Sequence, residues 1–197
     1  MTRAIFTFLA LAVAAPAAAQ QRPTPEQIEA MKAKTLPGPQ HRELAALEGE
    51  WTQEVTYTMG TPQPVKASGT VRNRMILGGR FLVSERVSKT PPGGPMGNFE
   101  MEAMTIYGFD GRTKEYTVIE LDTTGTYWVS AAGKPAAGKG IVMSGESLDD
   151  HGGKPEIRRF DMVLNVIDAD TYMTRIIFHF TGRPPATLVE TINRRVK

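Results

Sequence analysis

The chain has 197 residues, a length that suits one domain. It contains no cysteine, which excludes disulfides, thiolate metal sites, cysteine nucleophiles and haem attached through cysteine. The 23 lysines and arginines nearly balance the 21 aspartates and glutamates and are scattered along the chain. Nucleic acid is therefore not an expected partner, because its binding depends on clustered positive charge.

The start of the chain has the three-part pattern of a secretory signal peptide. Met1-Thr2-Arg3 carries the positive charge, residues 5–15 form an uncharged apolar run, and Ala17-Ala18-Ala19 is a cleavage site of small residues. The apolar run is too short to span a bilayer, which takes roughly 20 apolar residues. We therefore expect a cleavable leader over residues 1–19, a mature chain that begins at Gln20, and a periplasmic or secreted protein without a membrane anchor.

Two short helices are predicted before the strands. The Thr-Pro-Glu-Gln motif at residues 24–27 is typical of a helix start with a capping box, and this helix should run to about Lys34. After a Pro-Gly-Pro break, a second helix is expected over residues 40–48. Its Leu44 and Leu47 share one face, with which it would plug the mouth of a barrel.

From Trp51 onward, alternation of period two replaces the helical period and predicts half-buried antiparallel strands. Turn signals such as Gly78-Gly79 and Asp110-Gly111 separate them by short connections. The predicted strands cover residues 51–59, 65–77, 80–89, 99–109, 115–122, 126–132, 138–148, 156–167, 171–181 and 186–196. This order indicates an all-β, antiparallel up-and-down barrel of about ten strands over residues 37–197, after a helical linker over residues 20–36. The alternative, a two-sheet sandwich, needs longer crossovers.

Several short motifs, taken in order, resemble one bacterial family. They are Pro37-Gly38-Pro39-Gln40-His41 with Leu44, Leu47, Gly49 and Trp51; Gly78-Gly79-Arg80-Phe81-Leu82; Tyr107-Gly108-Phe109-Asp110 with Lys114 and Tyr116; Asp122 with Gly125-Thr126; and Glu190 with Arg194. Their order and spacing are similar to those of the domain of unknown function 1579 (DUF1579). The resemblance implies a calycin-like barrel, the architecture of lipocalins and fatty-acid-binding proteins, but no activity and no catalytic residues. One departure is Glu120, where the family usually has a tryptophan, so a pocket wall there should be more acidic.

Alternation also predicts which side chains point into the barrel, with the apolar set of each strand indicating its inner face. On four strands the predicted inner face also carries charge. The predicted ligand-binding residues are Glu85, Glu120, Arg158, Glu190 and Arg194 as the polar floor, and Trp51, Tyr57, Tyr107 and Tyr116, together with Phe81 and Phe160, as the walls. Two interpretations stay open: these charges pair or lie at the mouths, or they orient a ligand between apolar walls.

Motifs for metal binding and catalysis are mostly missing. His41, His151 and His179 are far apart and fit no metal-ligand spacing, and alternation points His179 outward. The glycine-rich stretches lack the strand–loop–helix setting of a phosphate loop, and no Gly-x-Ser-x-Gly elbow occurs. We expect no metal and no cofactor.

Three functions remain open from the sequence. The leading hypothesis is a binding module that holds a small, partly apolar or lipid-like molecule inside the barrel. The second is an isomerase- or hydrolase-type enzyme that uses a lumenal Glu85, Glu120 or Glu190 as general base. The third is a structural protein with a filled barrel. The sequence indicates neither the ligand nor the oligomeric state.

Overall fold

The computed structural model describes residues 22–58, 63–91, 97–149 and 155–197. The predicted leader and His151 lie outside these residues. The chain divides into two compact units, Met1–Leu36 and Pro37–Lys197.

The described part of the first unit is helix α1, Pro25–Lys34. The predicted capping box is confirmed: Thr24 Oγ1 accepts from the Gln27 backbone N–H at 3.2 Å, and Gln27 Oε1 accepts from the Thr24 N–H at 2.8 Å. No residue of α1 is buried. Among the described residues, no helix has both the length and the apolar character needed to cross a bilayer.

The second unit is a closed antiparallel barrel in which every strand pairs with its sequence neighbours and the first pairs with the last. This confirms the predicted up-and-down topology, and closure leaves no free sheet edge. Helix α2 (Pro39–Ala45) precedes strands β1 (Gly49–Tyr57), β2 (Val65–Ile76), β3 (Phe81–Lys89), β4 (Glu100–Asp110), β5 (Glu115–Asp122), β6 (Trp128–Ala136), β7 (Gly140–Asp149), β8 (Glu156–Asp168), β9 (Thr171–Phe178) and β10 (Ala186–Arg195).

Most boundaries lie within two residues of their predicted positions, and β6 is the main exception. The predicted strand 126–132 stops before Pro135, which has no backbone N–H to donate. In the structure β6 begins later and continues through Pro135, which lies opposite Ile141 of β7. The end of β9 also differs, lying at Phe178 instead of residue 181.

Helix α2 closes one mouth of the barrel, as predicted. Its Leu44 and the following Leu47 are buried in the same apolar cluster as Trp51 of β1. The Leu47 carbonyl accepts from Trp51 Nε1 at 2.9 Å and from Asn73 Nδ2 at 2.9 Å. At the start of the helix, His41 Nδ1 accepts from the Gly38 backbone N–H at 2.9 Å. The end of the helix is thus fastened to β1 and β2.

Arg195 of β10 also fastens this end of α2. Its guanidinium lies 4.1 Å from the centre of the Trp51 ring, a cation–π contact. Its Nη2 donates to the Ala46 carbonyl at 2.8 Å and its Nη1 to the Glu48 carbonyl at 2.6 Å. The last carbonyls of a helix lack partners within the helix, so a cation that donates to them stabilises this end.

Two inward-facing glycines permit close approach of neighbouring strands. A Cβ added at Gly133 of β6 would lie 1.9 Å from the Val142 carbonyl oxygen of β7. At Gly69 of β2 the corresponding distance, to the Val87 carbonyl oxygen, is 1.8 Å. Both contacts are with backbone, which cannot move aside as a flexible side chain can. Glycine is therefore required where these strand pairs approach each other so closely.

We expect Gly133→Ala to destabilise the barrel by about 2–4 kcal/mol, because strands β6 and β7 must separate to admit the methyl group. The matched control is Gly111→Ala in the β4–β5 turn, where an added Cβ meets no atom within 4 Å. Urea unfolding of the two variants measures the difference. Equal stability of both would show that the β6–β7 contact is not as tight as described.

Candidate functional site

The strand registers decide which predicted residues face the lumen, because directly opposed residues of antiparallel strands lie on the same face. Glu120 is on the inner face and buried, as predicted. Arg158 is also on the inner face, at the mouth opposite α2, where it lies 3.0 Å from Glu156 and 5.0 Å from the centre of the Phe180 ring. The predicted aromatic walls that are buried inside are Trp51, Tyr57, Tyr107, Tyr116 and Phe160.

The predicted inward orientation is wrong for Glu85 and Phe81 of β3. Glu85 lies opposite Arg72, on the outer face, and forms an exposed 3.5 Å ion pair with Arg74. The inner position is held by Arg86, which lies opposite the buried Val71. The apolar residues that suggested the opposite parity, Phe81, Val83 and Val87, line the outside of the strand.

The predicted inward orientation is also wrong for Glu190 and Arg194 of β10. Arg194 forms an exposed 2.8 Å ion pair with Glu54 on the outer face. Glu190 lies opposite Thr56 and Arg175 on that same face. The inner residues of β10 are instead Val189, Thr191 and Asn193, and a register shift between Thr187 and Val189 interrupts the alternation.

The centre of the lumen contains a buried ion pair that the sequence prediction only half identified. Arg86 Nη2 lies 2.9 Å from Glu120 Oε2, and the side chains are 13% and 8% exposed. Thr105 Oγ1 donates to the same carboxylate oxygen at 3.1 Å. Thr105 is directly opposite Glu120 across β4 and β5, so the strand register positions this hydroxyl.

Arg86 has one donor that remains unused. Its Nε is buried and meets no hydrogen-bond acceptor among the described residues, whereas its Nη2 is the atom paired with Glu120. Burial by itself lowers the pKa of Arg86, but the Glu120 carboxylate outweighs burial and raises it. The guanidinium is therefore charged, and a buried donor without an acceptor is costly.

The two tyrosines near Arg86 are neutral. Burial is the main cause that raises the pKa of Tyr107 and of Tyr172 above the ordinary value. Tyr172 accepts from Asn73 Nδ2 at 3.2 Å. Asn73 also donates to the Leu47 carbonyl, so this hydrogen bond links the tyrosine near the ion pair to the α2 end of the barrel. The lumen thus holds a central group of polar side chains, and apolar core residues surround this group.

A small cavity adjoins the ion pair. Its lining residues are Arg86, Tyr107, Glu120, Met143, Met162, Val163, Thr174, Arg175, Ile176, Val189 and Thr191. The space that the centre of a water molecule can reach is ≈ 10 Å³, enough for about one water. About half of the lining residues are apolar, and methionine, the most adaptable apolar side chain, occurs twice.

A second polar cluster lies outside the barrel, on β7 and β8. Asp161 accepts from Ser144 Oγ at 2.6 Å and lies 2.7 Å from His179 Nε2. His179 thus faces outward, as predicted. The aspartate stands between the serine and the histidine, whereas nucleophilic catalysis needs the histidine next to the serine. Among the described residues, no three His, Asp or Glu side chains form a group able to hold a metal ion.

An open groove of ≈ 490 Å³ runs along the outer face of β1–β5. Glu85, predicted to be lumenal, lines this groove together with Val87, Met104 and Leu121. Arg86 lines both the cavity and this groove, whereas Glu85 lines the groove alone.

The fold and its interior define the class: a closed antiparallel β-barrel with a polar, charge-paired centre. The family model described as "Protein of unknown function (DUF1579)" matches residues 36–195, and the chain belongs to this family. Among solved structures, a de novo designed fluorescence-activating β-barrel is similar, with 12% identity, a TM-score of 0.42, and coverage of 78% of this chain and 96% of the design. The chain matches no functionally curated protein.

We expect Glu120→Gln to cost about 3–5 kcal/mol of stability, because it leaves the Arg86 charge buried without its counter-charge. Glu85→Gln is the matched control: the same substitution, two strands away, in an exposed pair worth at most about 1 kcal/mol. Chemical denaturation compares the two variants. Similar losses would contradict the assignment of Glu120 to the interior and Glu85 to the surface.

Proposed function

We propose that this protein binds a small, partly apolar molecule inside the barrel. The observation that carries the proposal is the Arg86 guanidinium, a buried cation whose Nε lacks an acceptor at the edge of a cavity. Ligand sites combine apolar walls with a few convergent polar groups, and this cavity has both.

The residues around the cavity also allow it to enlarge. Met143 and Met162 lie on neighbouring strands, directly opposite one another, and both line the cavity. In the ligand-free protein these two side chains occupy the space beside the cavity. Because they are unbranched, they change rotamer at low cost and make room for a ligand. We propose entry from the mouth opposite α2, since α2 is fastened over the other mouth by Trp51 and Arg195.

A filled, purely structural barrel is the second candidate, and the small cavity volume favours it. In that case a single water would accept from Arg86, and the polar centre would serve to fix the fold. The enzyme hypothesis has less support. Of its three carboxylates, Glu85 and Glu190 are on the outer face, and Glu120 is bound to Arg86 and Thr105.

The test is native mass spectrometry of gently purified protein, followed by NMR of Met143 and Met162 methyl groups during titration with a panel of small apolar metabolites. We expect at least one compound to bind and to shift both methyl signals. Arg86→Met should weaken that binding at least about tenfold, because the polar anchor is lost.

The control is Arg74→Met, which removes an exposed arginine of the neighbouring strand and should leave binding unchanged. The binding proposal would be contradicted if no compound of the panel shifts the Met143 or Met162 methyl signals and native mass spectrometry shows only the protein without a bound molecule. That result would support the filled barrel.

We also propose that the protein is exported, on the strength of the signal-peptide pattern in residues 1–19. Expressed from its full sequence in a bacterium with two membranes, it should appear in the periplasm with Gln20 as first residue, read by intact mass. Ala19→Arg should block processing, because signal peptidase requires small residues there, whereas Gln21→Arg should not. A full-length wild-type chain in the cytoplasm would refute export.

A further inference from the structure

The charges inside the barrel already balance at the cavity. Arg86 and Glu120 form one ion pair, and the neighbouring Tyr107 is neutral. Val163 and Arg175 also line the cavity, but the strand register places their side chains on the outer face of β8 and β9. Among the described residues, Arg86 is therefore the one inner-face cation at the cavity, and its counter-charge is in place.

Arg86 has unused capacity for donation. Glu120 Oε2 is already contacted by Arg86 and by the Thr105 hydroxyl. Arg86, by contrast, keeps a buried Nε–H with no acceptor. The cavity thus needs one acceptor and has no need of a further negative charge.

Resting on the proposed function, we infer that the ligand presents a neutral carbonyl oxygen, as in a ketone, ester or amide, to Arg86. A carbonyl accepts from Nε–H and adds no charge to the site. A carboxylate would add a second anion beside Glu120 with a single cation to share, in a place where water cannot screen the repulsion. Thr174 and Thr191, which also line the cavity, offer further hydroxyl contacts to such a head group.

The test uses two probes of nearly the same shape, 2-heptanone and hexanoate, titrated into the wild-type protein at pH 7 with the methionine methyl signals as readout. We expect the ketone to bind at least about tenfold more tightly than the carboxylate. Tighter binding of hexanoate would overturn this inference and leave the proposed function standing. If neither probe binds, the inference and the proposed function are both overturned for molecules of this size.

The Glu120→Gln variant tests the cause. Without the carboxylate, Arg86 is an unbalanced cation, so the preference should reverse and hexanoate should bind more tightly than the ketone. Glu85→Gln, outside the barrel, should keep the wild-type preference. An unchanged preference in Glu120→Gln would overturn the role assigned to the ion pair.

A pH series on the wild type gives an answer that does not depend on the variant's folding. Hexanoate affinity should rise as the pH falls from 7 towards the ordinary pKa of a carboxylic acid, about 4–5, because the neutral acid avoids the second charge. The affinity for 2-heptanone should stay constant over the same range. A hexanoate affinity that does not change with pH would contradict the inference.

Discussion

Closure of the sheet between β1 and β10 is the constraint on which the rest of the structure depends. Once the sheet is closed, the inward side chains in the middle of the lumen are removed from water, whether apolar or not. The polar residues that alternate inward must then find partners within the barrel, and Gln53 does so by donating to the Val87 carbonyl at 3.1 Å. The Arg86–Glu120 pair satisfies the same requirement for charge, but only in part, and this incompleteness distinguishes the centre from an ordinary core.

The two ends of the barrel differ because one of them is fastened by α2. Trp51 and Asn73 donate to the same carbonyl after the helix, and Arg195 donates to two others. These contacts come from β1, β2 and β10, the strands on either side of the closing seam. The helix therefore supports the closure itself, and it leaves the opposite mouth as the end at which Arg158, Phe178 and Phe180 lie.

The sequence predicted the element order, the topology and the α2 plug, because turn signals and period-two alternation are local properties. It predicted Glu120 because Tyr116 and Val118 make the inner face of β5 plainly apolar. It missed Arg86 because β3 carries apolar residues on both faces, and the outer Val83 is itself buried. On β10 the register shift next to Leu188 breaks the alternation, which no short-range pattern reveals. The distance between Arg86 and Glu120 depends on three strands in register, and that is a property of the whole sheet.

The pairing of β1 with β10 has a consequence for how the molecule is assembled. Thr52 and Arg194, which face each other across the seam, are 142 residues apart in the chain. The lumen can be sealed only after the last strand has been made, and contacts of such long range slow folding. Until then β1 and β9 are open edges, able to pair with other chains. A chaperone that shields nascent edges would thus matter more for this barrel than for a protein built from local contacts.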